Sequence, residues 1–161
     1  MRPFSRRTFG SFWAFLVELW YQVVHLPALV QAGRDAAIPA DFRERLLLAV
    51  TAVNQCRYCS WAHSRAALAV GVSHRETEQL LQGVVDLGQP HEVPALYYAQ
   101  HWAESDGAPE PEATAKLEAV YGEETSHHIK VFLRAIRFGN LLGNSVDKVL
   151  HVLSRGQLGH G

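Results

Sequence analysis

Apolar residues along this chain recur at the three- and four-residue spacing of helices, and no stretch sustains the apolar–polar alternation of a strand. An all-α domain is the expectation. From about Ser11 to about His25, Trp13, Leu16, Trp20, Val23 and Val24 lie near one face of an amphipathic helix, which suits packing on the domain or on a sister subunit. Past that arm, Pro39 and Asp41 open a segment whose run from Glu44 to Val53 is apolar on nearly every side, the pattern of a buried helix. Asn54 is placed to cap the next helix, which carries both cysteines and ends at Gly71. Ser73 with Glu76 makes a capping box for a helix through Leu81, and Pro94 suits the first turn of a helix bearing Tyr97, Tyr98 and Trp102. The stretch from Gly107 to Pro111 breaks it. A short helix then runs to Tyr121 with Gly122 as its stop. From about Thr125 the last helix turns Ile129, Phe132, Leu133 and Ile136 to one face and Lys130, Arg134 and Arg137 to another. This pattern divides the chain into a helical arm over 1–37, a helical domain over 38–153 and a flexible tail over 154–161.

Composition narrows the class. A chain of 161 residues with 48% hydrophobic residues and a formal net charge of -1 fits one globular domain and asks for no nucleic-acid partner. The 2 cysteines cannot build the multi-bridge framework of a small secreted domain, so a reducing cytoplasm is expected. Ser5-Arg6-Arg7-Thr8-Phe9 has a twin-arginine look, with an apolar run from Phe12 to Val17 behind it and Val30-Gln31-Ala32 resembling a cleavage site. Glu18, Gln22 and His25 interrupt that run, and Phe12 to Val30 reads as too polar for a good span, so no membrane partner is expected.

Both cysteines fall in Cys56-Arg57-Tyr58-Cys59, with His63 one helical turn beyond, which are the parts for reversible disulfide chemistry. On a helix, Cys56, Cys59 and His63 span an arc of roughly 60°, and Ala67 and Val70 continue the stripe. The thiols would then lie at a helix N-terminus, which stabilises an anion. The opposite face, Trp61, Arg65 and Leu68, is also largely apolar, so the helix is expected to be central or partly covered by another subunit. Glu44 lies on the core-facing stripe of the preceding helix. It fits either an ion pair with Arg43, Arg65 or another base, or a proton-transfer role beside the thiols. The nucleophile stays open: helix-end geometry favours Cys56, whereas His63 at i+4 favours Cys59. No organic cofactor is called for. Cys56, Cys59, His63 and Glu44 could instead ligate zinc, or the thiols could simply pack. Among the remaining residues, His127 and His128 read as surface or cap residues, and His74, His91, His151 and His160 as dispersed near helix ends. Tyr97, Tyr98, His101 and Trp102 could line a pocket or belong to the core.

Arg43-Glu44 before an apolar helix, then Asn54-Gln55-Cys56-Arg57-Tyr58-Cys59 and His63, resembles the carboxymuconolactone decarboxylase and alkylhydroperoxidase D-like superfamily. Glu44 stands twelve positions before Cys56, as that pattern of Glu, CxxC and His requires. A weaker likeness extends to Gly71-Val72-Ser73 and to Arg137, Asn140 and Asp147. The resemblance implies an all-helical domain that assembles as a homo-oligomer, a trimer or a multiple of it. It also implies reduction of a small-molecule peroxide, with Cys59 attacking, Cys56 resolving, and Glu44 with His63 relaying protons. A reducing thiol or dithiol partner must then reset the pair. Tyr58 stands where a second histidine often lies, and a phenol can support a site by donating a hydrogen bond but is a poor base near neutral pH. The superfamily's other enzymatic branch acts on lactones and generally lacks the CxxC.

Overall fold

A computed structural model of the chain describes residues 3–159. They form seven helices and, among the described residues, no strand: α1 Phe12–Val24, α2 Leu26–Ala32, α3 Ala40–Asn54, α4 Arg57–Ala69, α5 His74–Leu81, α6 Val93–Glu104 and α7 Pro111–Leu153. The all-α architecture agrees with the periodicity, and most boundaries have a local cause. Ser11 Oγ accepts the Ala14 N–H at 3.0 Å and starts α1. Pro27 in the first turn of α2 cannot continue α1, and the two helices meet at 56°. Ser73 caps α5 by accepting the Glu76 N–H at 3.2 Å, but the Glu76 carboxylate turns to Arg45 at 2.6 Å instead of closing the box. Gly122, at φ 78° and ψ 168°, breaks α7 into limbs at 111–121 and 123–153, at the expected stop.

The core forms around α3, whose Phe42, Leu46, Leu48 and Val50 are completely buried and which packs on α4, α5, α6 and α7. Ile129, Phe132, Leu133 and Ile136 of α7 close it from the other side. Lys130, Arg134 and Arg137 stay half-buried on the outer face, held by Glu118, Glu18 and Asp106 at 2.9, 3.2 and 2.7 Å.

Two expectations change, at Asn54 and His128, and for α4 and α1 the single chain leaves only cover by another subunit. Asn54 does not cap α4; its amide donates to Asn140 inside the core, and Cys56 takes the capping position. Within one chain α4 is peripheral: Trp61 is 65% exposed, with the Arg65 guanidinium 5.0 Å above its ring. His128 is buried and bonds Asp35 at 2.7 Å, so it is neither a surface nor a cap residue. The expected packing face of α1 looks outward, with Trp13, Trp20, Val23 and Val24 exposed. The arm docks instead through Phe15, stacked on Phe138, and through Glu18 paired with Arg134.

The arginines with an export-motif look are anchors. Arg6 bonds the buried Asp147 at 2.9 Å and the Gly159 carbonyl, and Arg7 donates to the terminal carbonyls of α6 at Ala103 and Glu104. Among the described residues no single helix is long and apolar enough to cross a membrane. Together α1 and α2 reach that length and composition, so the stretch is less polar than expected, but they do so only across their bend. His160 lies outside the described residues.

Candidate active site

The site begins where α3 ends. Gln55 adopts a left-handed conformation, φ 55°, and Cys56 follows in extended backbone as the N-cap of α4. Its Sγ accepts the Cys59 N–H at 3.5 Å and lies 3.1 Å from Cys59 Sγ, and both thiols are free. Cys56 is completely buried, because α7 passes over it at a glycine. A Cβ on Gly143 would stand 2.6 Å from Cys56 Sγ and 3.1 Å from Tyr58 Cδ2. One turn earlier in α7, Gly139 faces Cys59 Sγ, 3.8 Å from where its Cβ would be.

Cys59 is only half-buried. It opens into a cavity of about 470 Å³ walled by Leu29 and Gly33 of α2, Arg43 and Leu47 of α3, His63 of α4, and Phe132, Ala135, Ile136 and Gly139 of α7. His63 Nδ1 is 2.8 Å from Glu44 Oε2, and Glu44 is 6% exposed. Both readings of Glu44 find a contact: one oxygen is engaged with the site imidazole, and the other forms the expected ion pair with Arg43, at 3.8 Å from Nε. A carboxylate on Nδ1 orients the ring and leaves Nε2 to exchange protons.

Electrostatics divides the two thiols. The Cys59 thiol donates toward Cys56 and pulls it down from 9.0 to about 6, with the backbone N–H groups of Cys59 and Tyr58 helping against burial and the Asp147 charge. Cys59 moves the other way: the same bond holds its proton and burial adds to the effect, while the Asn140 amide, donating to the sulfur, opposes it. The α4 N-terminus adds its partial positive charge at Cys56. Charge rests on the buried sulfur, and access belongs to the other.

Tyr58 turns to Asp147 of α7. Its hydroxyl donates to Asp147 at 2.9 Å and accepts from Arg57 at 2.8 Å. Asp147, completely buried, is thus held by Tyr58, Arg57 and Arg6, which fixes the turn carrying Cys56 to α7 and the arm.

Asn140 enters the site more directly than its faint likeness suggests. Fully buried, it accepts from Asn54 at 3.1 Å and donates to Thr51 at 3.2 Å, which sets its amide toward Cys59. Gly139 and Gly143 were also legible in principle, as two glycines four apart inside a long helical pattern. The aromatic group of α6 splits: Tyr97, Tyr98 and His101 line a separate cavity of about 310 Å³ that contains neither cysteine, while Trp102 packs in the core. Among the described residues, no group of three or more His, Cys, Asp and Glu side chains is arranged to hold a metal ion.

A family model described as the carboxymuconolactone decarboxylase family matches residues 21–103. That stretch contains Glu44, Cys56, Tyr58, Cys59 and His63 and ends before the α7 residues of the site. No curated protein and no solved structure matches the chain.

Proposed function

The chain belongs to the carboxymuconolactone decarboxylase family, and from that premise we propose that it is a thiol-dependent peroxidase that reduces organic hydroperoxides in antioxidant defence. One observation carries the reading: a reachable thiol, Cys59, lies 3.1 Å from a low-pKa partner sulfur and beside a Glu44–His63 pair, on an apolar cavity. In the reaction, Cys59 gives up its proton, to Cys56 or through His63, and its thiolate attacks the terminal peroxide oxygen. The O–O bond breaks, the alcohol leaves with a proton, and Cys59 becomes a sulfenic acid. Cys56 then attacks the Cys59 sulfur, water departs, and a disulfide forms. A reducing thiol or dithiol returns two electrons and two protons.

The reading includes a homo-oligomer in a reducing cytoplasm. Leu142, Val146, Val149 and Leu153 recur at alternating four- and three-residue spacing along α7, all exposed, which is a seam suited to a second copy of the same helix. The exposed face of α1 adds to that surface.

The test is intact mass of the reduced protein after brief exposure to cumene hydroperoxide, beside Cys56→Ser and Cys59→Ser. Expected are a reducible loss of two hydrogens in the parent, a gained oxygen in Cys56→Ser, and neither in Cys59→Ser. No oxidation of the parent at low peroxide excess would overturn the reading and turn attention to lactone chemistry.

A further inference from the structure

We propose that the cavity over Cys59 takes an apolar molecule with one anionic end, and that Arg43 receives the anion. Resting on the peroxidase reading, this makes the substrate an acid hydroperoxide of the alkanoate type. Cys59 takes the terminal oxygen, the O–O bond breaks to give the hydroxy acid, and the carboxylate is unchanged.

The walls supply the apolar half. Leu29, Leu47, Phe132 and Ile136 come from three different helices, and the volume of about 470 Å³ falls within the range of small-molecule sites. Hydrogen peroxide would leave most of that space unfilled. A hydrocarbon chain would fill it and displace poorly bonded water.

Arg43 supplies the other half. Its guanidinium carbon lies 5.8 Å from the centre of the Phe132 ring, so the group is laid along the cavity wall. Arg45, Arg57, Arg134 and Arg137 each donate to a carboxylate. The Arg43 guanidinium makes no hydrogen bond to any described residue; its nearest acid, Glu44, forms only a loose ion pair with it, 3.8 Å from Nε, and is already bonded to His63. The Arg43 side chain is only 30% exposed, so a cation in this position lacks full hydration and has no hydrogen-bonded anion, its ion pair with Glu44 being 3.8 Å long and shared with His63. Arg43 presents a planar fork of donors, and a carboxylate can satisfy two of them at once. A neutral ligand would cover the cation without pairing it.

Protection of Cys59 from alkylation by N-ethylmaleimide tests this without turnover, using octanoate and the neutral octanamide as probes and the mass of the Cys59 peptide as readout. Octanoate is expected to halve the rate at about tenfold lower concentration than octanamide, the effect of one charge-assisted hydrogen bond. Arg43→Gln should bring the two probes together, and Arg43→Lys, which keeps the charge, should retain most of the preference. Equal protection by both probes in the parent overturns the proposal whatever the protein does to peroxides. Octanoate preference in a protein that oxidises with no hydroperoxide keeps the anion site and sinks the peroxidase reading.

Discussion

The assignment of charge to Cys56 rests chiefly on one donor, the Cys59 thiol, and Cys59→Ala removes it. At about 6, Cys56 is about nine-tenths ionised at pH 7, against about one-hundredth for a thiol at its ordinary 9.0. A hydrogen bond to a charged group contributes roughly 1.5–3 kcal/mol, and a unit of pKa corresponds to about 1.4 kcal/mol. Losing the donor should therefore raise the midpoint by about 1–2 units, to about 7–8. The backbone N–H groups of Cys59 and Tyr58 survive the substitution and keep it below 9.0. Absorbance at 240 nm across a pH titration of the reduced protein measures this. A midpoint in Cys59→Ala within about 0.3 units of the parent would refute the argument, because charge-assisted bonds do not vanish so cheaply. So would a titration near pH 6 that persists in Cys56→Ala. The sign also sets a stability profile. Between about 6 and 9 the folded chain has lost a proton that the unfolded chain still holds, so Cys56 makes stability rise with pH through that window and fall as pH drops toward 6.

The other predictions concern the groups around the pair. Glu44→Gln keeps the shape but removes the charge at His63 Nδ1, and should slow sulfenate formation by roughly a hundredfold in stopped-flow measurements. Asn140→Leu strands the Asn54 amide and removes the donor to Cys59, so urea unfolding should show a loss of about 2–3 kcal/mol together with slower oxidation. Gly143→Ala sets a methyl 2.6 Å from Cys56 Sγ, and should cost about 1–3 kcal/mol in the same unfolding assay while raising the alkylation rate of Cys56 as the turn is pushed outward.

Much of this was legible beforehand because it depends on neighbours along the chain. Helix periodicity, the Ser73 cap and the Gly122 break are local, and so is the placing of Cys59 and His63 one turn apart on α4. What escaped depends on contacts across long separations. Asn54 looked like a cap because it precedes a helix, yet a buried amide finds a better partner in Asn140, 86 residues away. His128 looked superficial beside His127, but Asp35 reaches it from the loop after α2. The outward turn of Trp13 and Trp20 could not be read from amphipathicity, which says that a face is apolar and not what covers it. Arg6 and Arg7 carry the same lesson: their partners, a buried aspartate and the end of a helix, lie far along the chain.

The conflict over the nucleophile dissolves once charge and access are treated as separate properties. Helix-end geometry was right that Cys56 is the acidic thiol, yet Cys56 has no exposed surface through which to meet a substrate. The imidazole argument pointed to Cys59, the sulfur that opens into the cavity and holds a proton at rest. With 3.1 Å between the sulfurs, the proton that Cys59 keeps is shared with Cys56, as their opposite shifts require. A short transfer exchanges their states without moving a heavy atom. The pair titrates as a unit carrying one negative charge, and Asn140 lowers the cost of bringing that charge to Cys59. Under the proposed peroxidase function such a site has a kinetic consequence. Reagents confined to bulk water meet a protonated thiol and react slowly, whereas a molecule that fills the cavity holds its oxygen at Cys59 while the proton shifts. Selectivity then comes from the cavity walls and Arg43, not from an exposed thiolate.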